Sequence, residues 1–244
     1  MSETNEEIKE KTIKNISQNQ KEILFNIMKL HNNGKGFDCD MTYSTGNFYK
    51  ENKTEDKFII PNPKYKFDVE PQVEGVEKIE LYGKLPLKDN SIGSIVIDLP
   101  FVIMPLYSQS ALNVKNTEGN LLIFRRFGGY NSPNDLFKSY YHWIEEAYRV
   151  LNDGGICVFK TQANICSSKN YFTPEYAWVV AQEIGFYALD QFFLEAKVRL
   201  ISGKVKKQQH ARKYTSTFWV FKKSKLKKWT TINYFNWKND NFAV

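Results

Sequence analysis

Ile95-Val96-Ile97-Asp98-Leu99-Pro100-Phe101 is the stretch on which the fold turns. Three apolar β-branched residues in a row read as a strand buried on both faces, the kind found in parallel sheets covered by helices, and a carboxylate stands at its tip. Burying a charge costs several kcal/mol unless it is partnered, so an Asp in that place has a task. Asp98 and the backbone carbonyl of Leu99 can accept from an amine, Pro100 fixes the turn, and Phe101 can stack on a flat base. Taken alone, the same residues also fit a strand end, a proline turn and a core phenylalanine.

Working outward, short apolar runs at 36–40, 66–69, 78–82, 94–99 and 156–160 predict further strands, each closed by a turn signal or an acidic residue. Between them, 135–151 carries Leu136, Tyr140, Trp143, Ile144, Ala147 and Leu151 on one stripe and runs out near Gly154-Gly155. A second helix is expected from Thr173-Pro174 to Ile184, stopped by Gly185. Gln20 to His31 places Ile23, Leu24, Ile27, Met28 and Leu30 at helical spacing behind a polar start. Two longer β-rich runs, 186–200 and 214–223, close the pattern. Strands alternating with helices and finishing in an antiparallel pair predict an α/β sheet, mostly parallel, with an antiparallel strand at one edge.

The chain has 244 residues and 28.6 kDa, 42% of them hydrophobic, enough for one sizeable core. Its longest apolar stretch, 95–107, holds Asp98 and two prolines, too short and too broken to span a bilayer. The start, MSETNEEIKEK, lacks the basic-then-apolar pattern of a secretory leader. Cys39, Cys157 and Cys166 form no CxxC pair, and His31, His142 and His210 are dispersed, so no disulfide framework or zinc site is expected and a reducing cytoplasm fits.

The net charge of +7 is local: residues 196–228 hold twelve Lys or Arg and no acid, leaving 22 basic against 27 acidic residues elsewhere. Tyr214, Phe218, Trp219 and Trp229 interrupt that cluster. A one-signed cationic run with aromatics attracts a polyanion by counterion release and can stack bases, although a solvated lysine-rich surface has the same composition.

Two further segments carry candidate chemistry. Asp40-Met41-Thr42-Tyr43-Ser44-Thr45-Gly46-Asn47-Phe48-Tyr49 is a polar, glycine-containing turn placed just after a predicted strand, where ligands of doubly wound sheets bind, and equally an ordinary tight turn. Asp68, in Phe67-Asp68-Val69-Glu70, ends the next strand; a carboxylate there can accept both hydroxyls of an adenosine ribose, or simply cap the strand. Leu85-Pro86-Leu87 with Asp89, Asn90 and Ser91 reads as a turn before the Asp98 strand.

This order of segments resembles class I S-adenosylmethionine-dependent methyltransferases, and Asp98-Leu99-Pro100-Phe101 is similar to the (D/N/S)-P-P-(Y/F/W) signature of DNA amino-methyltransferases. The chain is more closely similar to a phage and low-GC bacterial group with a D-x-T-Y-x-x-G-x-F-(Y/W) loop, a D-P-P-F strand end, an E-x-x-R-V-L-x-x-x-G helix end and a Q-H-A-R-K segment. The matching residues are Asp40 to Tyr49, Asp98 to Phe101, Glu146-Ala147-Tyr148-Arg149-Val150-Leu151 with Gly154-Gly155, and Gln208-Gln209-His210-Ala211-Arg212-Lys213. The resemblance covers roughly 36–223.

The resemblance implies a Rossmann-like, seven-stranded, mostly parallel sheet with helices on both faces. It implies that S-adenosyl-L-methionine is held by the loop residues Asp40, Thr42, Tyr43, Thr45, Gly46 and Phe48 and by Asp68. Asp98, the Leu99 carbonyl, Pro100 and Phe101 would grip an exocyclic base amine of DNA, adenine N6 ahead of cytosine N4. Leu99 departs from the signature's first proline. Arg125 and Arg126, in an insertion over 102–134 that would recognise the target, and Lys206, Lys207, His210, Arg212 and Lys213 are the expected nucleic-acid contacts. Domain boundaries follow as 1–35 (polar segment and helix), 36–223 (methyltransferase) and 224–244 (basic, aromatic tail). Asp40-Met41-Thr42-Tyr43 also echoes a D-P-P-Y site, but the permuted order needs a later glycine loop, and only Gly154-Gly155 is present. An RNA base methyltransferase and a non-catalytic nucleic-acid-binding subunit fit the same residues.

Overall fold

A computed structural model describes residues 12–50, 57–103, 129–197 and 208–224. Along them run β1 (Ile16–Ser17), α1 (Gln20–His31), β2 (Cys39–Asp40), β3 (Tyr65–Asp68), β4 (Glu77–Lys78), β5 (Ile92–Ile97), α2 (Pro133–Val150), β6 (Leu151–Thr161), β7 (Asn164–Cys166), β8 (Lys169–Tyr171), α3 (Thr173–Ile184), β9 (Phe186–Glu195) and β10 (Thr215–Lys223). Arg125, Arg126, Lys206, Lys207, most of the 102–134 insertion and nearly all of the 224–244 tail lie outside the described residues.

Eight strands make one sheet in the order β1-β9-β10-β6-β5-β2-β3-β4, and β7 pairs with β8 in a separate hairpin. The sheet is parallel except for β10, which runs against both β6 and β9. The antiparallel strand expected at one edge is therefore interior, wedged between β6 and β9, and the two-residue β1 beyond β9 brings seven strands to eight. From the centre, β2, β3 and β4 step one way while β5 and β6 step the other. The order reverses between β2 and β5, which is the switch point of a doubly wound sheet.

Alternation along the central strands sorts side chains to two buried faces. Ile95, Ile97, Cys157 and Phe159 join one cluster with Leu136, Tyr140, Trp143, Ile144, Ala147 and Val150 of α2 and Ala177, Val180 and Ala181 of α3. Val96, Ile156, Val158, Phe218 and Val220 join the other with Ile23, Leu24, Ile27 and Met28 of α1. Helices therefore cover both faces, and the N-terminal helix is part of the core. Each helix starts and stops by local chemistry. The Asn19 side chain accepts from Lys21 N to cap α1, and Ser132 does the same for α2 from Asp135 N. Gly185, at φ 120°, ends α3 by donating its N–H to the Ala181 and Gln182 carbonyls. No described helix is long and apolar enough to cross a membrane.

Candidate functional site

The switch point is where the two candidate motifs meet. β2 and β5 are hydrogen-bonded neighbours, with Asp40 opposite Val96, so the loop after Asp40 and the tip after Ile97 leave the same edge of the sheet side by side. The loop is tied to both flanking strands: Met41 N donates to Val96 O at 3.2 Å and Tyr43 N to Phe67 O at 3.0 Å. It then closes on itself through Gly46 N to Tyr43 O and Tyr49 N to Gly46 O. Gly46 has φ 73°, and a Cβ there would stand 2.6 Å from the Tyr43 hydroxyl, so only glycine fits this turn. Asp68, at the end of β3, accepts from Ser44 N and from Glu70 N, both at 2.8 Å. Burial raises its pKa while those N–H groups work against the rise.

A polar relay joins loop and tip. Thr42 Oγ1 accepts from Asp98 N at 2.7 Å and donates to Asp40 Oδ1 at 3.2 Å, while Thr42 N donates to that same oxygen at 2.8 Å. The other Asp40 oxygen accepts from the Tyr49 hydroxyl at 2.8 Å. Asp40 is 1% exposed, and burial pushes its pKa up to about 7. Tyr49 stacks on Tyr43 at 5.5 Å, and the Tyr43 hydroxyl donates to Asn62. Asp40 and Phe48, expected at the cofactor, are buried: among the described residues the Asp40 carboxylate bonds Thr42 and Tyr49 alone, and Phe48 packs in the cluster beneath α1. Thr42, Tyr43 and Thr45 are half-buried, with the enclosed Gly46 at the loop's turn.

Asp98 carries the second half. Its Oδ2 pairs with Lys160 Nζ at 2.8 Å, with side-chain exposures of 24% and 12%. Lys160 also reaches Gln20 Oε1 at 3.5 Å and lies 5.4 Å and 5.6 Å from the Phe48 and Phe218 ring centres. Leu99 turns into the α2 core at 6% exposure, which accounts for an apolar side chain where the resemblance has proline. Pro100 and Phe101 are half-buried beyond it. In the sequence Lys160 carries no signal beyond being the last residue of a predicted strand. Register exposes it: Ile97 pairs with Phe159, so the next residues, Asp98 and Lys160, fall together on one face.

Other expected residues have different surroundings. His210 packs on the β7–β8 hairpin, its Nε2 2.7 Å from Ser168 O and its Nδ1 3.0 Å from Asn170 Nδ2, so both ring nitrogens bond within the protein. Arg212 and Lys213 are half-buried nearby, and Lys213 Nζ sits 5.6 Å from the exposed Phe172 ring. The Glu146–Arg149 motif lies at the opposite end of β5. There Arg149 bonds the Leu85 and Leu87 carbonyls, Asp89 and Glu146, and Glu146 accepts from Leu85 N. It is a clamp on the 85–89 turn. A depression of about 330 Å³, lined by Asn134, Phe137, Lys138, Tyr141 and Tyr176, shares no residue with the Asp40 loop or the Asp98 tip. Among the described residues no cluster of three or more His, Cys, Asp or Glu is placed to hold a metal, and the three cysteines are buried and unpaired.

No protein-family model matches the chain, and no curated protein is similar to it. Solved structures are similar at low identity. One, assigned as a sarcosine dimethylglycine methyltransferase from Galdieria sulphuraria, is 13% identical over 84% of this chain and 85% of its own, with a TM-score of 0.47. A SAM-dependent methyltransferase from Methanosarcina mazei is 10% identical over 76% and 80%, with a TM-score of 0.35. A protein assigned as a DNA modification methylase from Thermus thermophilus, solved with S-adenosyl-L-methionine, is 13% identical over 57% of this chain, with a TM-score of 0.34. The chain spans half the length of that Thermus protein.

Proposed function

We propose that this protein transfers a methyl group from S-adenosyl-L-methionine to an exocyclic base amine in DNA, adenine N6 ahead of cytosine N4. The observation that carries the reading is the Thr42 hydroxyl, which bonds the Asp98 backbone and the Asp40 carboxylate at the switch point of the sheet. One side chain thereby couples the candidate cofactor loop to the candidate base grip.

The residues present suit that cofactor. Thr42, Tyr43 and Thr45 belong to the loop around Gly46, and the Asp68 carboxylate, held by backbone N–H groups, keeps acceptor capacity for a ribose hydroxyl. When bound, S-adenosylmethionine would supply an electrophilic methyl on a sulfonium and leave as the neutral thioether, the methylated amine giving up one proton to water. The chain's own part is placement. A base amine is a weak nucleophile because its lone pair is conjugated with the ring. Asp98 Oδ1 and the Leu99 carbonyl would accept its two N–H groups, hold it still and favour the tetrahedral arrangement that frees the lone pair. Phe101, half-buried at the tip, would stack on the extruded ring and offset part of the few kcal/mol that flipping costs. Arg212 and Lys213, with the cationic run around them, would meet the phosphates. The domain boundary at 223 and the target-recognising role of 102–134 belong to this proposal, while the expected boundary at 36 gives way to the packing of β1 and α1 into the sheet and its core.

The test is mass spectrometry of nucleosides from DNA, duplex and single-stranded, and from RNA incubated with the purified protein and S-adenosylmethionine. N6-methyladenine or N4-methylcytosine in the DNA supports the reading. Methylation confined to RNA, or none in any nucleic acid, rejects it.

A further inference from the structure

Gripping a base amine would use one oxygen of Asp98 and leaves unexplained why a lysine is fastened to the other. Lys160 is no solvated surface cation: its side chain is 12% exposed, held between two phenylalanine rings and anchored to Asp98 Oδ2. An ammonium has three N–H donors, and Asp98 and Gln20 take two of them. Asp98 Oδ1, in turn, accepts no hydrogen bond from a described residue. The site edge therefore presents an acceptor and a donor next to one another, on adjacent parallel strands whose register fixes their spacing.

That order has a chemical complement. Adenine and cytosine each carry an amine N–H donor beside a ring-nitrogen acceptor, N6 with N1 and N4 with N3. Guanine and thymine present the reverse, a carbonyl acceptor beside a ring N–H donor. Resting on the proposed base-amine activity, we infer that Lys160 and Asp98 together read the amine-and-ring-nitrogen edge of the extruded base, with Lys160 donating to the ring nitrogen while Asp98 accepts from the amine. Guanine and thymine would set N–H against ammonium and carbonyl against carboxylate, and buried polar groups facing like groups are strongly rejected. Lys160 also cancels the Asp98 charge, so the pocket does not repel a polyanion. An ammonium at the ring draws electron density from the amine while the carboxylate opposes it, so the pair contributes selection and positioning and not a more reactive nitrogen.

The experiment follows labelled methyl transfer by the full-length protein to oligonucleotides with a single target, either adenine or 1-deazaadenine, or cytosine against 3-deazacytosine. Single strands and targets opposite an abasic site keep base pairing out of the comparison. Losing the ring nitrogen should lower kcat/KM about 10- to 100-fold in the wild type, the span expected for one hydrogen bond to a charged group. Lys160→Met should lose a similar factor on the natural base and no longer distinguish the two substrates, with S-adenosylmethionine affinity by calorimetry unchanged. Lys160→Leu, which also removes the donor but leaves a different apolar shape, serves as a second variant and should behave alike. Equal wild-type rates on both substrates overturn the inference, as does a variant that binds cofactor and still discriminates. No transfer to any natural oligonucleotide overturns the base-amine reading itself, and this inference with it.

Discussion

The two ends of β5 each hold a partly buried ion pair, and the pairs differ in what they leave unused. At the start of the strand, the five guanidinium N–H donors of Arg149 meet Glu146, Asp89 and the Leu85 and Leu87 carbonyls, so none remains for a ligand. Nearby, Lys223 Nζ donates to Asn90 and to the Tyr148 and Leu151 carbonyls at the end of α2, again with every donor taken. At the far end, Lys160 and Asp98 hold each other, yet among the described residues one carboxylate oxygen and one ammonium donor take no partner. A saturated charge cluster is structural because breaking it strands a buried charge, whereas an unsaturated one in a switch-point crevice is available for chemistry.

Four substitutions probe that contrast. Asp98→Ala should abolish methyl transfer, a loss beyond about 10³-fold, while cofactor affinity measured by calorimetry stays within about threefold of wild type; retained transfer would remove Asp98 from the site. Asp40→Asn tests the buried acid behind the relay. Its folded pKa of about 7 lies above the 3.8 of an exposed aspartate, so ionising it opposes folding: the two forms are alike below pH 4, and the wild type loses stability as pH rises from 4 to 7. Urea titrations across that range should show a slope in the wild type worth up to about 4 kcal/mol and absent from the variant.

Arg149→Ala should lower stability by about 3 kcal/mol, because Glu146, 5% exposed, is left without its partner. Its kcat at a temperature where it remains folded should match wild type; a large fall would mean the two ends of β5 are not the separate devices described above. Thr42→Val deletes the hydroxyl between Asp98 and Asp40 and is the mildest change. A stability loss of about 1–2 kcal/mol and a rate loss of about tenfold are expected, and an unaffected rate would show that the loop and the tip act independently.

How much of this was legible beforehand depends on the range of the signal. The helix at Gln20–His31 is found where its apolar spacing placed it, and α3 likewise spans the interval between Thr173-Pro174 and Gly185. Both are set by contacts within four residues. Helix α2 begins at Pro133, ahead of the expected 135, because Ser132 caps it. The expected strand at 78–82 shrinks to Glu77–Lys78, since an apolar run near the sheet edge finds few partners to pair with. The β7–β8 hairpin carries little apolar alternation and gave no strand signal. His210 looked like a phosphate contact beside cations, but a partner 40 residues away in sequence, Asn170, takes one of its nitrogens.

What the amino-acid order determined alone is the set of local devices: strand tips ending in Asp40, Asp68 and Asp98, a polar, glycine-containing turn after the first of them, and helices with their own stops. Tertiary structure alone decided which of them touch. Thr42 meets Asp98 across 56 residues and Lys160 meets it across 62, and β10 lies inside the sheet where a period of two residues says nothing about neighbours. The reason is physical: alternation tells a side chain which face to take, but strand adjacency and register are settled by the packing of whole layers, and the site exists only at their junction.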